Sequence, residues 1–133
     1  MHAIKVMIVD DTAFMRIMIR NILEGHGHQV VAEACNGKQA IELYKQHRPE
    51  LVLMDITMPE MDGIQAIEKI KVIDPSAKII ICSALGQRRL VLDAVFQGAS
   101  DFIVKPITKD RLIQAVNNLF ASKSMQTAKL VMG

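Results

Sequence analysis

The sequence predicts an α/β fold, a doubly wound parallel five-stranded sheet built as (βα)5 in one domain. Three observations carry this. Five short apolar runs alternate strictly with five segments of helical spacing. Three of the runs, residues 4–9, 51–54 and 79–82, are almost continuously apolar, as strands covered on both faces must be. The connections between runs are helix-length, which is what parallel neighbours require.

Residues 4–9 form the first strand, which stops at Asp10-Asp11. The following helix carries Phe14, Met15, Ile17, Met18, Ile19, Ile22 and Leu23. That is too many apolar residues for one buried face, so part of the helix is expected to stay exposed. Gly25 is placed at its end. Gln29–Ala34 is more mixed, with Glu33 inside it, and suits an edge strand. Ala40, Ile41 and Tyr44 share a face of the second helix, which stops before Pro49. Residues 51–54 are the third, central strand, and Asp55 ends it. Ile64, Ile67 and Ile70 line the third helix, and Pro75 follows it. Residues 78–82 form the fourth strand, ending in Cys82-Ser83-Ala84. Leu90, Val91, Leu92, Val95 and Phe96 overfill the fourth helix as the first is overfilled, and Gly98 ends it. Asp101–Val104 is the fifth strand and leads into Lys105-Pro106. Thr108 caps the last helix, Asp110 sits in its first turn, and Leu112, Val116, Leu119 and Phe120 make its apolar face. The domain is read as residues 1–121, with 122–133 a tail or the end of that helix.

Composition narrows the function. Half of the 133 residues are hydrophobic, enough for a packed core without disulfides. The net charge of +2 comes with no basic run, so no nucleic-acid partner is expected. No apolar stretch approaches the ~20 residues that span a bilayer, and the first run is broken by Lys5, unlike a signal peptide. Cys35 and Cys82 are read as two buried free thiols of a cytoplasmic protein. His26-Gly27-His28 offers two imidazoles and no third ligand, so it is read as an ordinary loop. Met58 and Met61 are read as packing for the loop after Asp55.

In open parallel sheets the site lies beyond the carboxyl ends of the strands. Here those ends bring Asp10, Asp11, Asp55, Ser83 and Lys105 to one edge. Three carboxylates that close repel each other unless a cation intervenes, which suits a hard divalent ion such as Mg²⁺ with positions left for phosphate oxygens. A carboxylate can attack phosphorus to give an acyl phosphate. Asp55, ending the central strand, is the nucleophile of choice. Lys105 would pair with the phosphoryl group and Ser83 would donate a hydrogen bond to it.

These residues resemble the receiver domain of two-component response regulators. The resemblance rests on Asp10-Asp11, on Asp55 with Ile56-Thr57-Met58-Pro59-Glu60-Met61-Asp62-Gly63, on Ser83-Ala84, and on Asp101-Phe102-Ile103-Val104-Lys105-Pro106. It covers about residues 3–121. Within the family, Asp11-Thr12-Ala13-Phe14-Met15-Arg16 and Cys82-Ser83-Ala84-Leu85-Gly86-Gln87 look like the free-standing chemotaxis regulators found outside the enteric bacteria. The resemblance implies a flavodoxin-like sheet in the order 2-1-3-4-5. It implies that Asp55 accepts a phosphoryl group from a histidine kinase of the chemotaxis type. It implies Mg²⁺ bound by Asp11, Asp55 and the carbonyl of Thr57, with Asp10 reaching it through water. Phe102 becomes the aromatic switch residue alongside Ser83, and the Lys105–Pro106 bond is expected to be cis. Phe102 stands where the enteric regulators have Tyr. Thr57 and Leu85 stand where residues tune attack by water, which implies slow self-hydrolysis and a separate phosphatase. The output surface is the face of the fourth helix, fifth strand and fifth helix, with a flagellar motor-switch protein as its partner and a monomer as the working form. Such a protein is a signalling switch and not an enzyme, beyond catalysing its own phosphorylation and slow dephosphorylation.

The rivals fare worse. An aspartate-nucleophile phosphatase of the haloacid-dehalogenase type wants a second Asp two residues after the first, and Thr57 is there. A flavodoxin-like electron carrier wants a Ser/Thr/Gly-rich first loop, and Asp10-Asp11 would repel its phosphate. A phosphorelay intermediate, or the receiver half of a transcription regulator, keeps the same site and is the alternative reading.

Overall fold

Each apolar run of the sequence becomes a strand, and each helical period a helix. The computed structural model describes residues 3–58 and 61–121. Its elements are β1 (Lys5–Val9), α1 (Ala13–Gly25), β2 (Gln29–Ala34), α2 (Gly37–His47), β3 (Leu51–Asp55), α3 (Gly63–Ile73), β4 (Ile79–Ser83), α4 (Arg88–Phe96), β5 (Asp101–Val104) and α5 (Lys109–Leu119). The expected tail at 122–133, His2, and Pro59-Glu60 of the loop motif lie outside the described residues.

The five strands are parallel in the order β2-β1-β3-β4-β5, as the resemblance implies, with the mixed Gln29–Ala34 run at one edge. Successive side chains of a strand point to opposite faces, and here both faces are covered. Met7, Val9, Val52, Met54, Ile79 and Ile81 pack under α2, α3 and α4. Val6, Ile8, Leu51, Leu53, Ile80 and Cys82 pack under α1 and α5. Two buried faces explain why the central strands read as continuous apolar runs.

The punctuation is mostly as expected. Thr108 accepts the Arg111 N–H at the start of α5, and Asn36 and Asp62 cap α2 and α3 in the same way. Arg48 closes α2 in the left-handed region just before Pro49, and Gly98, at φ +113°, follows α4. At the end of α1 the left-handed residue is Gly27, not Gly25, because the helix runs through Gly25 and the chain reverses beyond it. One expectation is corrected. Cys35 is only half-buried, because β2 stops at Ala34 and Cys35 already stands in the loop, where its N–H and thiol both face Gln39 Oε1 at 2.9 and 3.1 Å.

Both overfilled helices leave apolar surface. α1 buries Ile19 and Leu23 but leaves Phe14 (75% exposed) and Ile17 outside. α4 buries Val91 and Ala94 and leaves Leu92, Val95 and Phe96 (91% exposed) outside. Among the described residues no helix is long and apolar enough to cross a membrane.

Candidate functional site

Register sets the site. Val9 pairs with Met54, Asp55 with Cys82, and Ser83 with Val104, so the residues ending β1, β3, β4 and β5 arrive at one edge together. Asp10, Asp11 and Asp55 each offer a carboxylate oxygen within 4.8 Å of the others. Asp10 and Asp55 are 2% and 6% exposed, while Asp11 stands in solvent. Lys105 Nζ lies 3.4 Å from Asp55 Oδ2 and 3.7 Å from Asp10 Oδ2. The sequence-derived five therefore meet, apart from Ser83, whose Oγ is buried beside them with no hydrogen-bond partner among the described residues. A buried hydroxyl left unpaired costs stability.

The two buried carboxylates are held. Asp10 Oδ1 accepts both the N–H and the hydroxyl of Thr12 at 2.9 Å. That is why Thr12, at the start of α1, gives the helix no side-chain cap. Asp55 Oδ1 accepts the Thr57 N–H at 3.2 Å. Burial raises the Asp55 carboxyl above its ordinary value, the Lys105 ammonium and the Thr57 N–H pull it back, and the Asp10 charge adds to the rise. Burial likewise pushes the Cys82 thiol, beneath the site, up to about 12, which keeps it an inert thiol. Three carboxylates against one ammonium leave an excess of negative charge on hard oxygen donors. That donor set fits a hard divalent cation better than a soft metal.

Glycine makes room for the central acid. A Cβ on Gly63 would stand 2.6 Å from the Asp55 carbonyl oxygen and 2.8 Å from Ile56 Cα, so the start of α3 can pass β3 only without a side chain. The sequence motif ending in Gly63 thus records a close approach and not a left-handed turn. The Lys105–Pro106 peptide is cis, as the resemblance implies, and the Lys105 N–H bonds to the Ser83 carbonyl at 2.6 Å. Phe102, on the strand next to Ser83, is 40% exposed.

Some residues the sequence reading left without a role also serve the site. Arg16 Nη1 donates to the Asp10 carbonyl at 2.6 Å and its Nε pairs with Glu33 at 3.3 Å, tying α1 and β2 to the acid pair. Gln87 joins the loops after β3 and β4. Neither carries a periodicity or charge signal; both are set by long side chains reaching back. The two loop histidines face backbone groups. His28 is buried and its Nδ1 accepts the Ile4 N–H at 3.2 Å, while His26 Nδ1 faces the Ile22 carbonyl.

A family profile described as the response regulator receiver domain matches residues 6–117. A chemotaxis protein CheY from Bacillus subtilis is 60% identical over 113 residues, which is 85% of this chain and 94% of that protein. A chemotaxis protein CheY from Thermotoga maritima is 53% identical over 115 residues, 86% of this chain and 96% of that one. Among solved structures, the CheX–CheY–BeF3–Mg complex from Borrelia burgdorferi aligns with a TM-score of 0.85 at 37% identity, covering 90% of both chains.

Proposed function

The chain belongs to the response regulator receiver family, and we propose that it is a phosphorylation-activated response regulator of chemotaxis that takes its phosphoryl group on Asp55. It is a signalling protein and not a classical enzyme. Residues 1–121 are assigned to the receiver and 122–133 to a tail or the end of the last helix. The observation that carries the reading is the unpartnered, buried Ser83 hydroxyl beside a buried Asp55 carboxylate that is paired with Lys105.

The chemistry follows from those three side chains. A carboxylate oxygen of Asp55 forms the new O–P bond as the P–N bond to the donor histidine breaks. The histidine nitrogen keeps that electron pair and takes up a proton. Lys105 balances charge on the phosphoryl oxygens, and Ser83 Oγ–H supplies a hydrogen bond already desolvated and without a rival partner. Asp10, Asp11, Asp55 and the Thr57 carbonyl would hold Mg²⁺, which would supply the remaining counter-charge when bound.

Output follows from what Ser83 vacates. A charge-assisted bond draws its side chain toward the phosphoryl group and opens space behind it, into which the half-exposed Phe102 ring turns. The neighbouring α4 face, with Leu92, Val95 and Phe96, is the docking surface for a flagellar motor-switch protein. Phe14 and Ile17 on α1 offer an apolar strip to a helical phosphotransfer domain of the histidine kinase. Leu85 is exposed and cannot orient a water, so the phosphoryl group persists until a separate phosphatase removes it; a half-life of seconds without any partner counts against this. The working form is a cytoplasmic monomer.

The test is phosphorylation by a small phosphodonor with Mg²⁺, read by intact mass. The parent gains one phosphoryl group and Asp55→Asn gains none. An acid-stable phosphate mapping to Ser83 sinks the assignment.

A further inference from the structure

The side-chain amide of Gln87 spans two loops at the mouth of the site. Its Oε1 accepts the Ala84 N–H at 2.7 Å, and its Nε2 donates to Thr57 Oγ1 at 2.7 Å. Ala84 directly follows Ser83 at the end of β4, and Thr57 stands two residues beyond Asp55, to whose Oδ1 its own N–H donates. One side chain therefore ties the loop after β3 to the loop after β4, on either side of the acceptor carboxylate. Gln87 occupies the cap position of α4, yet its side chain makes no capping bond. Its bonding capacity goes to the site instead. Gly86, at φ +88°, supplies the left-handed turn that brings Gln87 back over it.

The donor that Gln87 occupies is the informative part. Covalent geometry puts the hydroxyl of Ser83 and the N–H of Ala84 within reach of a common acceptor. An anion on Asp55 that draws the free Ser83 hydroxyl meets the Ala84 N–H next, and finds it already bonded to Gln87. The anion must displace an amide oxygen to gain that bond.

We propose that Gln87 is a positioning residue that latches the resting site. It holds the Ala84 N–H and the Thr57 hydroxyl together and lets go when the phosphoryl group takes the Ala84 N–H. Release frees the loop that leads into α4, so the latch couples the anion to the exposed face of that helix. The proposal rests on Asp55 being the phosphoacceptor.

The probe is beryllium fluoride with Mg²⁺ as a phosphoryl mimic, titrated into the parent, Gln87→Ala, Gln87→Glu and Asp55→Asn, with amide hydrogen exchange read at Ala84. Without the latch, Gln87→Ala binds the mimic about five-fold more tightly than the parent, the worth of one net hydrogen bond. Gln87→Glu binds it more weakly than the parent, because a carboxylate still accepts the Ala84 N–H and sets a like charge beside the anion. Exchange at Ala84 speeds up in unliganded Gln87→Ala and slows again once the mimic is bound, a signature that loop packing alone does not produce. Equal or weaker mimic binding by Gln87→Ala, with Asp55→Asn alone losing it, overturns the latch and leaves the phosphoacceptor standing. If the parent does not bind the mimic, or Asp55→Asn binds it as well as the parent, the phosphoacceptor assignment fails and the latch falls with it.

Discussion

Replacing Asp55 by Asn separates the stability of the site from its function. In the metal-free parent, Lys105 at 3.4 Å attracts the Asp55 carboxylate by about 5 kcal/mol at an effective dielectric constant of about 20. Asp10, within 4.8 Å, repels it by about 3.5 kcal/mol on the same scale. Solvent-exposed Asp11 adds about 1 kcal/mol of repulsion at the dielectric constant of water. These contributions nearly cancel. What remains is dehydration of a charge, several kcal/mol for a buried ion, relieved only in part by the Thr57 N–H. Burial is also the largest reason the Asp55 carboxyl titrates above its ordinary value. Asparagine keeps an oxygen for the Thr57 N–H and sheds the charge. Metal-free Asp55→Asn is therefore expected to be about 1–2 kcal/mol more stable than the parent, a rise of roughly 4–8 °C in Tm for a domain of this size. Mg²⁺ at a hundred times its Kd adds about 2.7 kcal/mol to the parent and far less to the variant, so the order of the two melting curves reverses. The pH dependence has a definite sign. A carboxyl whose folded pKa is raised favours the fold while protonated, and that contribution is lost as pH rises from the unfolded value of 3.8 through the folded one. The gap between variant and parent is thus full at neutral pH and closes on acidification. Scanning calorimetry with and without Mg²⁺ checks this. A variant less stable than the parent without metal, or curves that never cross, would refute the reasoning.

Phe102→Ala is expected to keep phosphorylation by a small donor while weakening its coupling to output. With 40% of the ring's surface left to bury, the inward position is worth about 1 kcal/mol, so the ratio of phosphorylated to free affinity for a motor-switch segment falls about five-fold; an unchanged ratio makes Phe102 plain packing. Gly63→Ala places a methyl against two backbone atoms that cannot yield, costing about 1–3 kcal/mol in urea unfolding and disturbing Asp55; a midpoint equal to the parent's contradicts the close approach. Tyr44 is the single tyrosine and there is no tryptophan, so tyrosinate absorbance in the near ultraviolet reports it alone. Burial and the bond to Asp74 at 2.9 Å push its pKa up to about 12, so the folded protein keeps it neutral past the ordinary value of 10.0, and its contribution to the fold is full below 10.0 and lost as pH rises from there through about 12; a midpoint near 10 in the folded protein refutes this.

Strand ends were the legible part of this chain. Asp10, Asp55, Ser83 and Lys105 follow directly from where each apolar run stops, because in a parallel sheet every strand delivers its last residue to the same edge. Edge and centre were legible too, since Glu33 breaks the run of β2 while β3 is apolar up to its last residue, Asp55. The strand order came only through resemblance, because alternation alone does not say which crossover turns back. Cys35 was misread because the Gln29–Ala34 run shows where the strand ends but not how far the loop residue that follows it is covered. Arg16 and Gln87 were illegible as site residues for a different reason. Their contacts run through flexible side chains to backbone groups and to side chains of other elements, and no spacing rule encodes where a guanidinium or an amide folds back.

The departures from good packing in this protein fall in the places where the proposed switch needs them. A resting site with two buried carboxylates, one shared ammonium and an unbonded hydroxyl is a local minimum that a cation and an anion can deepen together. An unbonded hydroxyl gives incoming phosphoryl oxygens more to gain than a bonded one would. The same holds for the surface. Phe14 on α1 and Phe96 on α4 stand in water, where burying them would stabilise the monomer but leave a partner nothing apolar to grip. Two well-packed faces of the sheet, α2 and α3 on one side and α5 on the other, supply the stability that lets α1, α4 and the strand ends stay unsatisfied. Removing one such buried charge, as Asp55→Asn does, is accordingly expected to gain stability and lose signalling in the same step.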